Sequence, residues 1–200
     1  LAVLRRLVVT LLVPVPWSPP GVELRAWRAA LAEDVVDLLA RLSAADAAIA
    51  AGPGDHELAE EIAWPGMKIY DVPAPTLLPV LAAAAADGYD QAAVIAADAP
   101  DVPGMTLGKL LQPLDSKSIA VAPGGPSGGA LGVATNLPAP EWLVDLDLDS
   151  ATPQLLRRNA PTPGEVTSTA QWRRLRGPAE LATLDTALEG WDNTRALLGG

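Results

Sequence analysis

The stretch that most constrains this chain is Gln91 to Pro103, QAAVIAADAPDVP. Ala92 to Ala97 carry no charge and almost no polarity, as a strand buried on both faces of a parallel sheet requires. Asp98 stands where such a strand leaves the sheet, and Pro100 and Pro103 keep it from continuing. In open α/β sheets ligands bind outside the carboxyl ends of strands, so Asp98 occupies a position where chemistry is usually done.

Strand and helix signals alternate around this segment. Leu7 to Val15 reads as a first strand, followed by a proline-rich loop, Pro16 to Gly21. From Val22 to Ser43 the apolar residues Leu24, Trp27, Leu31, Val35, Leu38, Leu39 and Leu42 recur at three- and four-residue steps, which predicts a helix. Asp46–Ala51 and Lys68–Val72 read as short strands with a helix, His56–Ala63, between them. Thr76 is placed to cap a helix from Leu77 to Asp87 that ends at Gly88, and Thr106 another over about Leu107–Leu114. Strands are expected at Ser118–Ala122, Ala130–Thr135 and Trp172–Leu175, and helices at Thr152–Asn159, Pro178–Leu188 and Trp191–Leu198. The alternation predicts one α/β domain over residues 1–200, a three-layer α/β/α sandwich on a mostly parallel sheet.

Composition removes several classes of function. A formal net charge of -10 argues against nucleic-acid binding, which needs a basic surface. The absence of cysteine excludes disulfides, thiolate chemistry and Cys-based metal sites, and fits a cytoplasmic protein. The single histidine, His56, excludes a multi-His metal site, and its acidic neighbours Glu57, Glu60 and Glu61 place it on a solvated helix start. Arg5 and Arg6 precede an apolar run, crudely like a signal peptide. That run is nine residues long, contains Pro14, lacks a small-residue cleavage site and is too short to span a bilayer. A first strand is the better reading, and no membrane partner is expected.

Three places could carry chemistry. Asp98 could hold Mg²⁺ or Mn²⁺ and, through it, the phosphates of a nucleotide, or it could cap the turn before Pro100; Asp101 could support a metal or cap the next segment. The loop Gly124, Gly125, Ser127, Gly128 and Gly129 could present backbone amides to a phosphate or sugar, or be a plain turn. It is neither a Walker loop nor a dinucleotide fingerprint, since no Gly-Lys-Ser/Thr closes it and a strand follows it. In Val144 to Asp149, VDLDLD, alternation puts Asp145, Asp147 and Asp149 on one face of an expected strand, either solvent-facing or, for Asp149, turned to the metal. Of the six tryptophans, Trp17 sits in the loop after the first strand and could stack on a base, while the others fill the core. Arg157, Arg158, Arg173, Arg174 and Arg176 read as a mostly solvated face, some of which could meet phosphates.

Three of these segments, VIAADAPDVP, IAVAPGGPSGGALGVA and the C-terminal DLDSATPQLLRRNAPTPGEVTSTAQWRRLRGPAELATL, together resemble the GT-A-type nucleotidyltransferase and glycosyltransferase superfamily. The likeness is greatest to the branch of 2-phospholactate guanylyltransferase and related bacterial glycosyltransferase-like proteins. The resemblance implies that Asp98 binds a divalent metal, Mg²⁺ or Mn²⁺, and that the glycine pair approaches a nucleotide or sugar-nucleotide substrate. The chain departs from that pattern in three places. The first loop, LLVPVPWSPPGVELRAW, has no lysine and only Arg25 as a basic residue. Ser127 stands where an aspartate is usual. Arg174 and Arg176 stand where the resemblance implies carboxylates of an Asp-x-Asp-Thr-Pro type.

Two expectations follow. One is a nucleotidyl- or glycosyltransferase with metal on Asp98, helped by Asp149 or Asp101, and an acceptor cradled by Gly124 to Gly129. The other is a catalytically inactive relative with a degenerate site that binds a ligand or a protein. A dinucleotide-dependent dehydrogenase is disfavoured because no glycine fingerprint follows the first strand.

Overall fold

A computed structural model describes residues 2–199; Leu1 and Gly200, the ends of the expected 1–200 domain, lie outside the described residues. Seven strands form one sheet: β1 Arg6–Leu11, β2 Asp46–Ala51, β3 Lys68–Asp71, β4 Gln91–Ala96, β5 Ile119–Pro123, β6 Ala130–Asn136 and β7 Val166–Ser168. They lie in the order β3-β2-β1-β4-β6-β5-β7. The pairs among β1 to β4 are parallel, as is β5 with β7, and β6 alone runs against its two neighbours. The helices are α1 Leu24–Ala40, α2 His56–Ile62, α3 Leu77–Ala86, α4 Gly104–Leu111, α5 Pro153–Asn159, α6 Pro178–Leu181 and α7 Asp192–Leu197.

The sheet is buried on both faces, as the uncharged run of β4 requires: all six of its residues are buried. Along β1 and β4 alternate residues face opposite layers. Leu7, Val9, Ala92 and Val94 pack with Leu77, Val80 and Leu81 of α3 and Leu156 of α5. Val8, Ala93 and Ile95 pack with Val35 and Leu39 of α1 and Leu107 and Leu110 of α4. The result is the expected three-layer sandwich.

The differences from expectation have local causes. β1 ends at Leu11, and Leu12 to Val22 is the loop that a chain with Pro14, Pro16, Pro19 and Pro20 must form. α4 begins two residues before Thr106, which is buried inside the helix instead of capping it. Thr76 precedes α3 but makes no cap bond; its hydroxyl donates to Asp145 at 2.8 Å, and that carboxylate accepts from the Leu78 amide at 3.0 Å, so Asp145 caps the helix from afar. VDLDLD is not a strand. Asp145 serves α3, Asp147 accepts from the Ser150 amide at 2.8 Å to make a turn, and Asp149 faces the other way, towards two arginines. Trp172 to Leu175 runs beside β5 and β4 without joining the sheet ladder, and the expected Pro178–Leu188 helix is the single turn α6.

Candidate functional site

The carboxyl end of β4 meets the segment 171–176 just outside the sheet. The Leu175 amide donates to the Asp98 carbonyl at 2.7 Å, and the amides of Trp172 and Arg174 donate to the carbonyls of Pro123 and Gly124 at 3.1 and 3.3 Å. This backbone stitching lays two arginines against two buried aspartates. Arg174 faces Asp98 with Nε 2.7 Å from Oδ1 and Nη2 3.0 Å from Oδ2, a two-point fork in which both side chains are 1% exposed. The remaining arm, Nη1, donates to Asp149 Oδ1 at 2.6 Å, and Arg176 Nη1 bonds the same oxygen. Arg173 forks Asp101 at 3.1 and 2.8 Å, while Trp172 Nε1 donates to Asp101 at 3.2 Å.

Electrostatics follow from this geometry. Burial pushes the Asp149 carboxyl up, but the adjoining guanidiniums of Arg176 and Arg174 outweigh it and hold the group below its usual value. Burial pulls Arg174 down while Asp98 and then Asp149 hold its proton more firmly, leaving it above the ordinary arginine value. The cluster of Asp98, Asp149, Arg174 and Arg176 carries two charges of each sign.

Asp98 and Asp149, the two candidate metal ligands, are therefore brought together, each bonded to Arg174. Both oxygens of Asp98 are bonded to a guanidinium, and Asp149 Oδ1 is shared by two. A hard divalent cation takes about six oxygen ligands. Among the described residues no group of three or more His, Asp or Glu side chains is placed to hold one. A divalent metal does not fit this arrangement. Asp101 neither supports a metal nor caps the next segment; its side chain is 2% exposed and orients Arg173 and Trp172.

The glycine loop lies against the same cluster. A Cβ on Gly129 would sit 2.5 Å from the Leu148 carbonyl oxygen and 2.8 Å from the Asp149 Cα, and one on Gly125 would sit 3.0 Å from the Arg173 side chain. These glycines let the loop close onto its own chain. Gly128, at φ +80°, has nothing near its missing Cβ and is the position of the loop open to an outside group. The Ser127 hydroxyl donates to the Gly124 carbonyl at 3.4 Å. Trp17 is half-buried, edge-on to Trp27 with centroids 6.3 Å apart at 89°, in a cluster with Leu31, Leu175, Leu181 and Leu184.

Arg174 is the residue the sequence reading placed wrongly. It is one of the largest fully buried side chains, not part of a solvated face, and Arg173 is largely buried beside it. The signal was present in Arg174 and Arg176 standing where carboxylates are usual: a cation replacing an acid opposite Asp98 is a partner for it.

No family model matches the sequence, and no curated protein matches it. Solved structures do. A protein of Desulfovibrio desulfuricans assigned to the nucleotide-diphospho-sugar transferases is 21% identical, with a TM-score of 0.61 over 97% of this chain and 96% of that one. The 4-diphosphocytidyl-2C-methyl-D-erythritol synthase of Anaerococcus prevotii is 10% identical, with a TM-score of 0.59 over 98% and 96%. The Rv0371c protein of Mycobacterium tuberculosis, solved as a complex with manganese, is 16% identical, with a TM-score of 0.57 over the full length of both chains. The fold is GT-A-like. At these identities the likeness speaks to architecture alone. No helix among the described residues is long and apolar enough to cross a membrane.

Proposed function

We propose that this chain is a nucleotide-handling domain of the nucleotidyltransferase type in which the fixed guanidinium of Arg174 stands in the place of the divalent cation, and that it binds its ligand without transferring a group. The carrying observation is the buried two-point pairing of Arg174 with Asp98. Phosphoryl transfer depends on positive charge beyond what the resting site neutralises, because charge spreads over the transferring oxygens. Here the charges cancel, and Arg174 is held from both its backbone and its side chain. The ligand class, a nucleotide or sugar nucleotide, comes from the likeness to cytidylyl- and sugar-nucleotide transferases. Its phosphates would meet Arg176, whose side chain is 21% exposed, and pack on the open Cα face of Gly128, whose own amide is bonded to the Gly125 carbonyl, with Trp17 at the rim.

A second reading, metal-dependent transfer on Asp98, is favoured by the manganese complex of the Mycobacterium tuberculosis structure and requires Arg174 to leave its partners. Thermal-shift and Mn²⁺ paramagnetic-resonance titrations with a nucleotide and sugar-nucleotide panel separate the two. The first reading expects a ligand-induced rise in melting temperature that is unchanged by chelator, and free Mn²⁺ signal throughout. Mn²⁺ sequestered by the wild-type chain, and lost in Asp98→Ala, would replace it with the second. No shift with any ligand, with or without metal, removes the nucleotide from both.

A further inference from the structure

The chain between Leu175 and Trp191 is built unlike the rest of the molecule. Both end residues are buried, at 2% and 4% exposure, and none of the fifteen residues between them is. The upstream anchor is the Asp98 carbonyl on the Leu175 amide, reinforced by the Arg174 ion pairs. The downstream anchor is the buried Asp34 carboxylate on α1, which accepts from the amides of Asn193 at 3.0 Å and Thr194 at 2.8 Å. Just inside the anchors stand Gly177 and Gly190, the latter at φ +92° and followed by Trp191 in the left-handed region at φ +48°.

Between those glycines little holds the segment down. Leu181 and Leu184, both partly exposed, rest on Trp27, Leu31 and Leu175, with Trp17 alongside. Arg173 bonds the Thr183 hydroxyl and, at 3.2 Å, its carbonyl, and Arg195 donates to the carbonyls of Thr186 and Leu188 at 3.0 and 2.6 Å. A cleft of about 410 Å³ already opens along one edge, between Trp172, Arg173, Thr183 and Leu188. Segments with few buried apolar contacts and exposed backbone open at a small fraction of the global unfolding free energy.

We infer that residues 178–190 form a strap, hinged at Gly177 and Gly190, that lifts as a unit while both anchors stay in place and uncovers Trp27, Leu31 and Leu175 beside the Asp98–Arg174 pair. Opening needs only the release of two leucines and a few surface hydrogen bonds, whereas loss of either anchor would expose a buried charge. The strap thereby controls access to the aromatic side of the site proposed above. The inference rests on the strap's own packing, so it stands or falls without any ligand.

The absence of cysteine makes single-thiol labelling clean. Leu31→Cys places a thiol under the strap, and Leu39→Cys places one further along α1 beneath the sheet core, where Val8, Ile95 and Leu107 cover it. The expected result is labelling of Leu31→Cys at least about tenfold faster than Leu39→Cys in native buffer, with a shallower dependence on urea. Adding Leu181→Ala and Leu184→Ala should speed the first and leave the second nearly unchanged. Equal rates with equal urea dependence would overturn the strap. A second measurement avoids core substitutions: a glutamate-specific protease on the wild-type chain should cut after Glu180 or Glu189 under native conditions, leaving the fragments associated and the circular dichroism intact. Cutting there only at urea concentrations that unfold the whole chain would equally overturn it.

Discussion

Arg174 and Asp98 are 76 residues apart in sequence and form a buried fork, Nε to Oδ1 at 2.7 Å and Nη2 to Oδ2 at 3.0 Å. Removing either partner alone strands a charge at 1% exposure, so each is held in place by the other. The pairing ties the carboxyl end of β4 to the segment that follows β7.

Arg174→Ala should cost about 3–5 kcal/mol of stability, the usual penalty for breaking a buried ion pair from one side. Denaturant melts of the variant check it. Two carboxylates would then face one another across the vacated space, so Mn²⁺ should raise the melting temperature of Arg174→Ala and leave that of the wild type unmoved.

Asp98→Ala distinguishes a structural aspartate from a metal ligand. A carboxylate waiting for a cation usually destabilises the apo fold, so its removal would be neutral or favourable. Here the loss should match that of Arg174→Ala, and the double variant Asp98→Ala/Arg174→Ala should lose less than the sum, with a coupling of about 1–3 kcal/mol in a double-mutant cycle. Additive losses would mean the fork is not the source.

Asp101 anchors the same segment one step away. Its side chain, 2% exposed, accepts from both Arg173 arms and from Trp172 Nε1. Asp101→Ala should cost about 3 kcal/mol and loosen residues 171–175, which hydrogen exchange of the Trp172 and Arg174 amides would report as loss of protection.

Most of the sheet was legible because its central strands are short apolar runs, such as DAAIAA at Asp46–Ala51 and QAAVIA at Gln91–Ala96, which need no tertiary information to be recognised; the three-residue edge strand Val166–Ser168 is too short to carry that signal. What local pattern could not show is where an isolated polar side chain points. VDLDLD alternates perfectly, yet Asp145, Asp147 and Asp149 serve three different partners, because helix capping, a turn and an ion pair each outweigh strand propensity there. Arg174 looked like surface since an arginine among other arginines usually is; only the three-dimensional approach of Asp98, Asp149 and Gly124 makes it core.

His56 supplies the pH dependence. Its Nδ1 lies 2.7 Å from Asp71 and its Nε2 3.1 Å from Glu60, and these partners, Asp71 first, raise the imidazole above its ordinary value of 6.5. A raised histidine contributes stability that is complete below the unfolded value and is lost as pH climbs through the folded one. The wild-type melting temperature should therefore fall, relative to His56→Gln, as pH rises from about 6 to 8. Parallel melting curves across that range would show that the bridge between α2 and β3 carries no proton-linked stability.

Gly128 and Gly129 divide the loop's structural work from its binding work. Both have positive φ, but a Cβ on Gly129 runs into the Leu148 carbonyl and Asp149 backbone, whereas one on Gly128 meets nothing. Gly128→Ala should cost about 1–3 kcal/mol, because φ +80° with ψ −178° is a backbone region that glycine alone adopts readily. Gly129→Ala should cost more than about 4 kcal/mol, since backbone on both sides must move, and should disturb the Asp149–Arg174 contact with it. If the open face of Gly128 receives a phosphate, Gly128→Ala should weaken nucleotide-induced stabilisation by more than its own small loss of stability explains. Isothermal titration of the folded variant separates the two effects, and unchanged affinity would assign the loop to folding alone.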